Sequence, residues 1–110
     1  MNVQIIVDFS KVKDKRDVIL ALRKALGLPE VKNPGWDGFS DHLRSLNTDS
    51  VTIRAMSPLP EVLHLVLKDL QRVRTLDAKA YSILCQILIE ATEMRHRTDG
   101  IQLVYTIENE

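Results

Sequence analysis

A single cysteine, Cys85, is too few for an internal disulfide or a cysteine-based zinc site. It sits among apolar residues, which fits a packed, unreactive thiol in a reducing compartment. Charge of one sign is also missing. Fifteen basic residues face 15 acidic ones, for a formal net charge of zero. The chain therefore has neither the global basic field that holds a nucleic acid nor a global acidic field, and any electrostatic function has to come from local patterning. No apolar run approaches the ~20 residues that span a bilayer. The opening Met1-Asn2-Val3-Gln4-Ile5-Ile6-Val7-Asp8 has no basic n-region and breaks its apolar run at Asp8, unlike a signal peptide. Internal repeats, linkers and low-complexity tracts are absent. These absences argue against a membrane protein, a secreted disulfide scaffold and a generic nucleic-acid binder. They lead to the expectation of a cytoplasmic chain.

What is present is an ordinary globular composition, with 45% hydrophobic and 27% charged residues in 110 positions. That length predicts one domain over 1–110. Val3 to Phe9 is short and rich in Val and Ile, and reads as a strand buried on both faces. Asp14 offers an N-cap, and Val18, Leu22, Ala25 and Leu26 form a helix stripe stopped by Gly27 and Pro29. Val31 to Gly35 reads as a loop, and Trp36, Phe39, Leu43 and Leu46 as the apolar side of a second helix. Ser50 to Met56 alternates and predicts a strand. Pro60 is well placed to start a helix over 61–73, and a longer helix runs from about Ala78 to Arg95, capped by Asp77 or Thr75. After a turn at Asp99-Gly100, Ile101 to Ile107 closes the chain as a strand. The order β-α-α-β-α-α-β, with helical connections throughout, predicts a small three-stranded, mostly parallel α/β layer packed with about four helices.

Two carboxylates stand out. Asp37 and Asp41 lie at i and i+4 on the second helix, one turn apart on the side away from Phe39, Leu43 and Leu46. Like charges at this spacing cost the helix a few tenths of a kcal/mol, and only Asp37 is near enough to the N-terminus to gain from the dipole. The residues alone leave two readings open: a solvated helix face, or a surface kept for a partner. Glu90 falls about 20° beyond Ile83 on the last helix, at the rim of its apolar face. It points sideways along the packed surface, which suits a contact over the edge of the helix, but on the residues alone a plain rim residue is the favoured explanation.

The run Ala25-Leu26-Gly27-Leu28-Pro29-Glu30, then a short loop, then Trp36-Asp37-x-x-x-Asp41-x-Leu43, resembles the barstar family of ribonuclease inhibitors. The order of elements resembles that family over nearly the whole chain. The resemblance implies a three-stranded parallel sheet with helices packed against it. It also implies that the second helix and the preceding loop plug a ribonuclease active site, with helix aspartates where RNA phosphates would sit. Asp37 and Asp41 match those positions, and Gln86 to Ala91 is similar to the family segment that supplies a third carboxylate, here Glu90. Val31, Pro34, Gly35, Trp36 and Ser40 complete the implied contact surface. The implied partner is a cognate ribonuclease, in an immunity or antitoxin role, with no direct nucleic acid, no membrane, no metal and no cofactor.

The chain departs from the pattern at Val31 and Ser40, where the family's prototype presents aromatic side chains. Core packing is the expected use of the Trp36 indole, and a neutral chain has little long-range steering. Two other readings therefore stay open: a barstar-like interaction module without ribonuclease inhibition, and an enzyme using Asp37, Asp41 and Glu90, which predicts a cleft or bound metal. His42, His64 and His96 are scattered without metal-ligand spacing. Arg72, Arg74, Arg95 and Arg97 flank helix ends, where cations complement the dipole.

Overall fold

The computed structural model describes residues 2–93 and 100–108. Its elements are β1 (Asn2–Asp8), α1 (Lys15–Ala25), α2 (Trp36–Leu43), α3 (Leu46–Asp49), α4 (Val51–Arg54), β2 (Val62–Lys68), α5 (Leu70–Leu76), α6 (Ala78–Glu93) and β3 (Gln102–Glu108). The class is the expected α/β one: a three-stranded parallel sheet in the order β1-β2-β3, with helices in both connections. Register aligns Ile5 with Leu65 and Leu65 with Tyr105 across the sheet. Helix α1 packs on β1 and α6 on β3.

Burial alternates along the strands because successive side chains point to opposite faces. Val7, Leu63, Leu65, Leu67 and Leu103 are buried on the helix-covered face, and Gln4, Ile6 and Thr106 are exposed on the other. This corrects the expectation that the first strand is buried on both faces. Ile6 is 55% exposed, and its row is buried only at the central Val66. Consecutive apolar residues suggest two covered faces, but β1 is an edge strand with one bare face.

The middle strand lies elsewhere than the sequence suggests. Ser50 to Met56 is not a strand. Ser50 instead joins two short helices, its hydroxyl accepting from Ile53 N at 3.0 Å and capping α4. A seven-residue alternation resembles one helical turn plus flanks, and only Ile53 of its apolar residues is fully buried. The central strand is Val62–Lys68, inside the stretch that reads as a helix over 61–73. That stretch holds two elements. Asp69, at φ 59°, breaks between them, and α5 follows. The apparent helical stripe mixes strand residues Leu63 and Leu67 with helix residues Leu70 and Val73. Pro60 precedes the strand and starts no helix. The second helix also ends at Leu43, three residues short of the expected Leu46, which opens α3.

Helix α1 has the expected ends. The Asp14 carboxylate accepts from Asp17 N at 2.9 Å, and the Asp17 carboxylate accepts from Lys13 N at 2.9 Å. At the other end, Gly27 N–H bonds Lys24 O and Leu28 N–H bonds Arg23 O, with Gly27 at φ +64°. This is a Schellman stop. Asp77 caps α6 by accepting from Ala80 N at 3.0 Å. The continuation of that helix to Arg95, and the expectations for Met94, His96, Arg97 and Asp99, lie outside the described residues.

Candidate functional site

The surface ahead of and along α2 is held by an apolar base. Trp36, Phe39 and Leu43 are buried, with the Trp36 and Phe39 rings edge to face at 6.3 Å and 74°. The helix packs beside both α1 and α6. Its period of 3.6 residues then turns Asp37 and Asp41 outward, and both are exposed. Neither carboxylate takes part in a hydrogen bond or ion pair among the described residues. Asp37 lies in the first turn, where the helix dipole favours an anion. Ser40 is half-buried between them in sequence, and Gly38 leaves open space where a side chain would stand. At the far end of α2, His42 Nδ1 is buried and lies 3.3 Å from Asp49 Oδ2 of α3, without making a hydrogen bond among the described residues.

Glu90 is exposed on the neighbouring α6 and accepts a hydrogen bond from Gln86 Nε2 at 3.0 Å. The fold thus puts the three carboxylates on two helices that pack together. Among the loop residues, Val31 and Gly35 are exposed and Pro34 is half-buried. Trp36 is 8% exposed, so its ring serves the core rather than the surface. Its indole Nε1 is buried without a hydrogen-bond partner among the described residues. The two aromatic rings of α2 itself, Trp36 and Phe39, are both buried.

The backbone entering this surface is fastened at a corner, Leu26 to Pro29, that sequence periodicity does not reveal. Ser50 donates its hydroxyl hydrogen to Leu26 O while accepting from Ile53 N, and Val51 N bonds Gly27 O at 2.8 Å. Arg23 is buried, and both Nε and Nη2 donate to Pro29 O, at 3.2 and 2.6 Å. Burial pushes its guanidinium below the usual arginine range. One sequence signal was available: Arg23 occupies a stripe position, four residues after Ile19 and three before Leu26. Because Leu26 and Ser50 are fully buried, removing the hydroxyl leaves a carbonyl and an amide dry and unpaired. Ser50→Ala is expected to lose about 1–3 kcal/mol, read as a lower urea midpoint at unchanged m-value.

Other candidates are accounted for locally. His64 Nε2 meets Thr106 Oγ1 at 2.6 Å on the bare sheet face, and Arg72 Nε donates to Val12 O at 2.8 Å, tying α5 to the loop after β1. Cys85 is half-buried on α6, one turn after Tyr81, and its neighbouring thiol pushes the Tyr81 hydroxyl up. Among the described residues, no three His, Cys, Asp or Glu side chains gather to hold a metal ion. No helix of the described residues is long and apolar enough to cross a membrane.

Comparison with known proteins adds one finding to this geometry. No curated protein matches the sequence significantly. The sequence model of the family described as "Barstar (barnase inhibitor)" matches residues 2–106, nearly the whole chain and every element of the sheet. With its three-stranded parallel sheet and its acidic helix after the Leu-Pro-Glu corner, the chain belongs to the barstar family.

Proposed function

We propose that this chain is an intracellular protein inhibitor of a ribonuclease, serving as its immunity or antitoxin partner. The observation that carries the reading is the state of Asp37 and Asp41. Both are exposed one turn apart on a helix anchored in the core, and neither is spent on an internal partner among the described residues. A ribonuclease cleft is cationic because its substrate is a polyanion. Two fixed carboxylates, with Glu90 on the adjacent helix, offer that cleft charge-assisted hydrogen bonds in place of RNA phosphates. Desolvating them is costly unless each meets a cation, so the same groups that bind also select the partner. Val31, Pro34, Gly35 and Ser40 border the contact, and Trp36 supports it from below.

A second reading, an interaction module without ribonuclease inhibition, draws on the missing surface aromatics. Buried aromatic anchors commonly carry interface energy, and here Val31 and Ser40 offer none. The test is affinity capture from native host lysate, with the parent and an Asp37→Ala/Asp41→Ala variant side by side. Captured fractions are assayed for RNA cleavage after the complex is denatured and refolded. A ribonuclease recovered by the parent and lost with the variant is the expected result. Recovery of the same partners by both proteins, or no ribonuclease with either, overturns the inhibitor reading.

A further inference from the structure

Arg23 is the one buried charged side chain among the described residues, at 3% exposure. No carboxylate accepts from it there, and its hydrogen bonds go to a single backbone oxygen, that of Pro29. A buried cation without a counter-charge is an expensive way to satisfy one carbonyl. Pro29 is exposed, so water is able to serve that carbonyl in its place. A methionine at position 23 would bury a similar stem with no charge to desolvate. Stability alone therefore gives no reason for an arginine here.

The chain beyond Pro29 supplies one. From Glu30 through Pro34, no hydrogen bond is made among the described residues, and Glu30, Val31, Lys32 and Asn33 are exposed. The segment is fastened only at its ends. At the far end, Gly35 O accepts from Phe39 N in the first turn of α2, and Trp36 is sunk in the core. At the near end the backbone is bonded as far as Leu28 N–H, which meets Arg23 O, and the grip of the Arg23 side chain on Pro29 O is the last fastening before the loop. A bidentate guanidinium fixes direction as well as distance, because its two N–H vectors are rigidly related.

We infer that Arg23 is a positioning residue for partner binding: by holding the Pro29 carbonyl it sets the path of Glu30 to Gly35, and so presents this loop and the start of α2 in binding geometry before the partner arrives. The inference rests on the ribonuclease-inhibitor reading for its functional consequence. Order imposed in the free protein need not be imposed on binding, and the gain falls mainly on complex lifetime.

The test compares the parent, Arg23→Met and Arg23→Lys by two readouts. In the free protein, 15N relaxation reports the backbone amides of Val31, Lys32, Asn33 and Gly35. The parent is expected to give order parameters near ~0.85 and Arg23→Met values toward ~0.6, with Tm unchanged or raised. Arg23→Lys, which restores charge without the rigid fork, falls between. The second readout is the release rate of the ribonuclease recovered in the capture experiment, expected to rise roughly tenfold in Arg23→Met with little change in association rate. Equal order parameters in parent and Arg23→Met, or a loop already disordered in the parent, overturn the inference whatever the partner does. Parent-like release by Arg23→Met, with binding still lost on Asp41→Lys, overturns it while leaving the inhibitor reading intact. If Asp41→Lys binds as the parent does, or the parent captures no ribonuclease, the inhibitor reading fails, and the order parameters alone decide the role of Arg23.

Discussion

Replacing Asp41 with lysine is expected to weaken ribonuclease binding at least about a hundredfold while the fold stays intact. The size follows from what the change does in the complex. A carboxylate paired with a cation in a water-poor cleft becomes a second cation, and the unpaired charge on the enzyme stays buried. The free protein should not suffer. Asp41 is exposed in the middle of α2 and has no internal partner among the described residues. Lysine is the better helix former, and the repulsion at i and i+4 with Asp37 becomes an attraction. Tm is therefore expected to hold or rise slightly. Because the chain carries no net charge, long-range steering contributes little, and most of the loss should appear in the dissociation rate. Isothermal titration with the captured ribonuclease and a thermal melt of the free variant check both halves. Unchanged affinity would remove this face of α2 from the contact. A collapsed Tm would show that Asp41 has a structural duty.

Gly27→Ala is expected to destabilise the fold by roughly 2–4 kcal/mol, with Tm falling by about 10 °C or more. Two effects add. Gly27 has φ +64°, a left-handed conformation that an alanine occupies only under strain. A Cβ there would also lie 2.3 Å from Thr52 Oγ1 and 3.0 Å from both Thr52 Cβ and Thr52 N. The close approach has a purpose, because it lets Val51 N reach Gly27 O and Ser50 reach Leu26 O. A Cβ pushes the start of α4 away and loosens both bonds. The double variant Gly27→Ala/Thr52→Ala separates the two effects. It removes the Oγ1 collision but leaves the backbone strain and the contact with Thr52 N, so it should recover only part of the loss. Thr52→Ala alone, at an exposed position, should fall within about 0.5 kcal/mol of the parent. Full recovery in the double variant would assign the whole effect to the collision.

The corner that Gly27 makes possible connects the two results. One side of it, Ser50 and Val51, fixes where α1 ends, and the other, Arg23, fixes where the loop sets out. Ser50 sits among fully buried atoms and serves stability. Arg23 serves the partly buried carbonyl of an exposed residue, Pro29, and stability does not need it. The only two buried polar or charged side chains among the described residues thus hold Leu26 O and Pro29 O, the two ends of the corner that precedes the acidic helix.

The sequence by itself determined the elements that carry their own end signals. Asp14, Asp17 and Gly27 mark both ends of α1, and local hydrogen bonds are enough to read them. Trp36, Phe39 and Leu43 give the buried side of α2, which places Asp37 and Asp41 outside by helix geometry alone. The class, the parallel sheet and the family were legible for the same reason: each rests on element order or on a short run of residues. Tertiary structure alone decided the middle strand. Val62 to Lys68 is apolar at both parities and adjoins a helix, so its period is ambiguous, and what makes it a strand is pairing with Asn2–Asp8 and Gln102–Glu108, far away in the chain. The short alternation at Ser50 to Met56 lost to a hydroxyl that caps a helix and reaches across to Leu26. The burial of Arg23 was likewise hidden, because a charged residue on an apolar stripe is read as exposed until the carbonyl that accepts it, six residues on, is folded back against it.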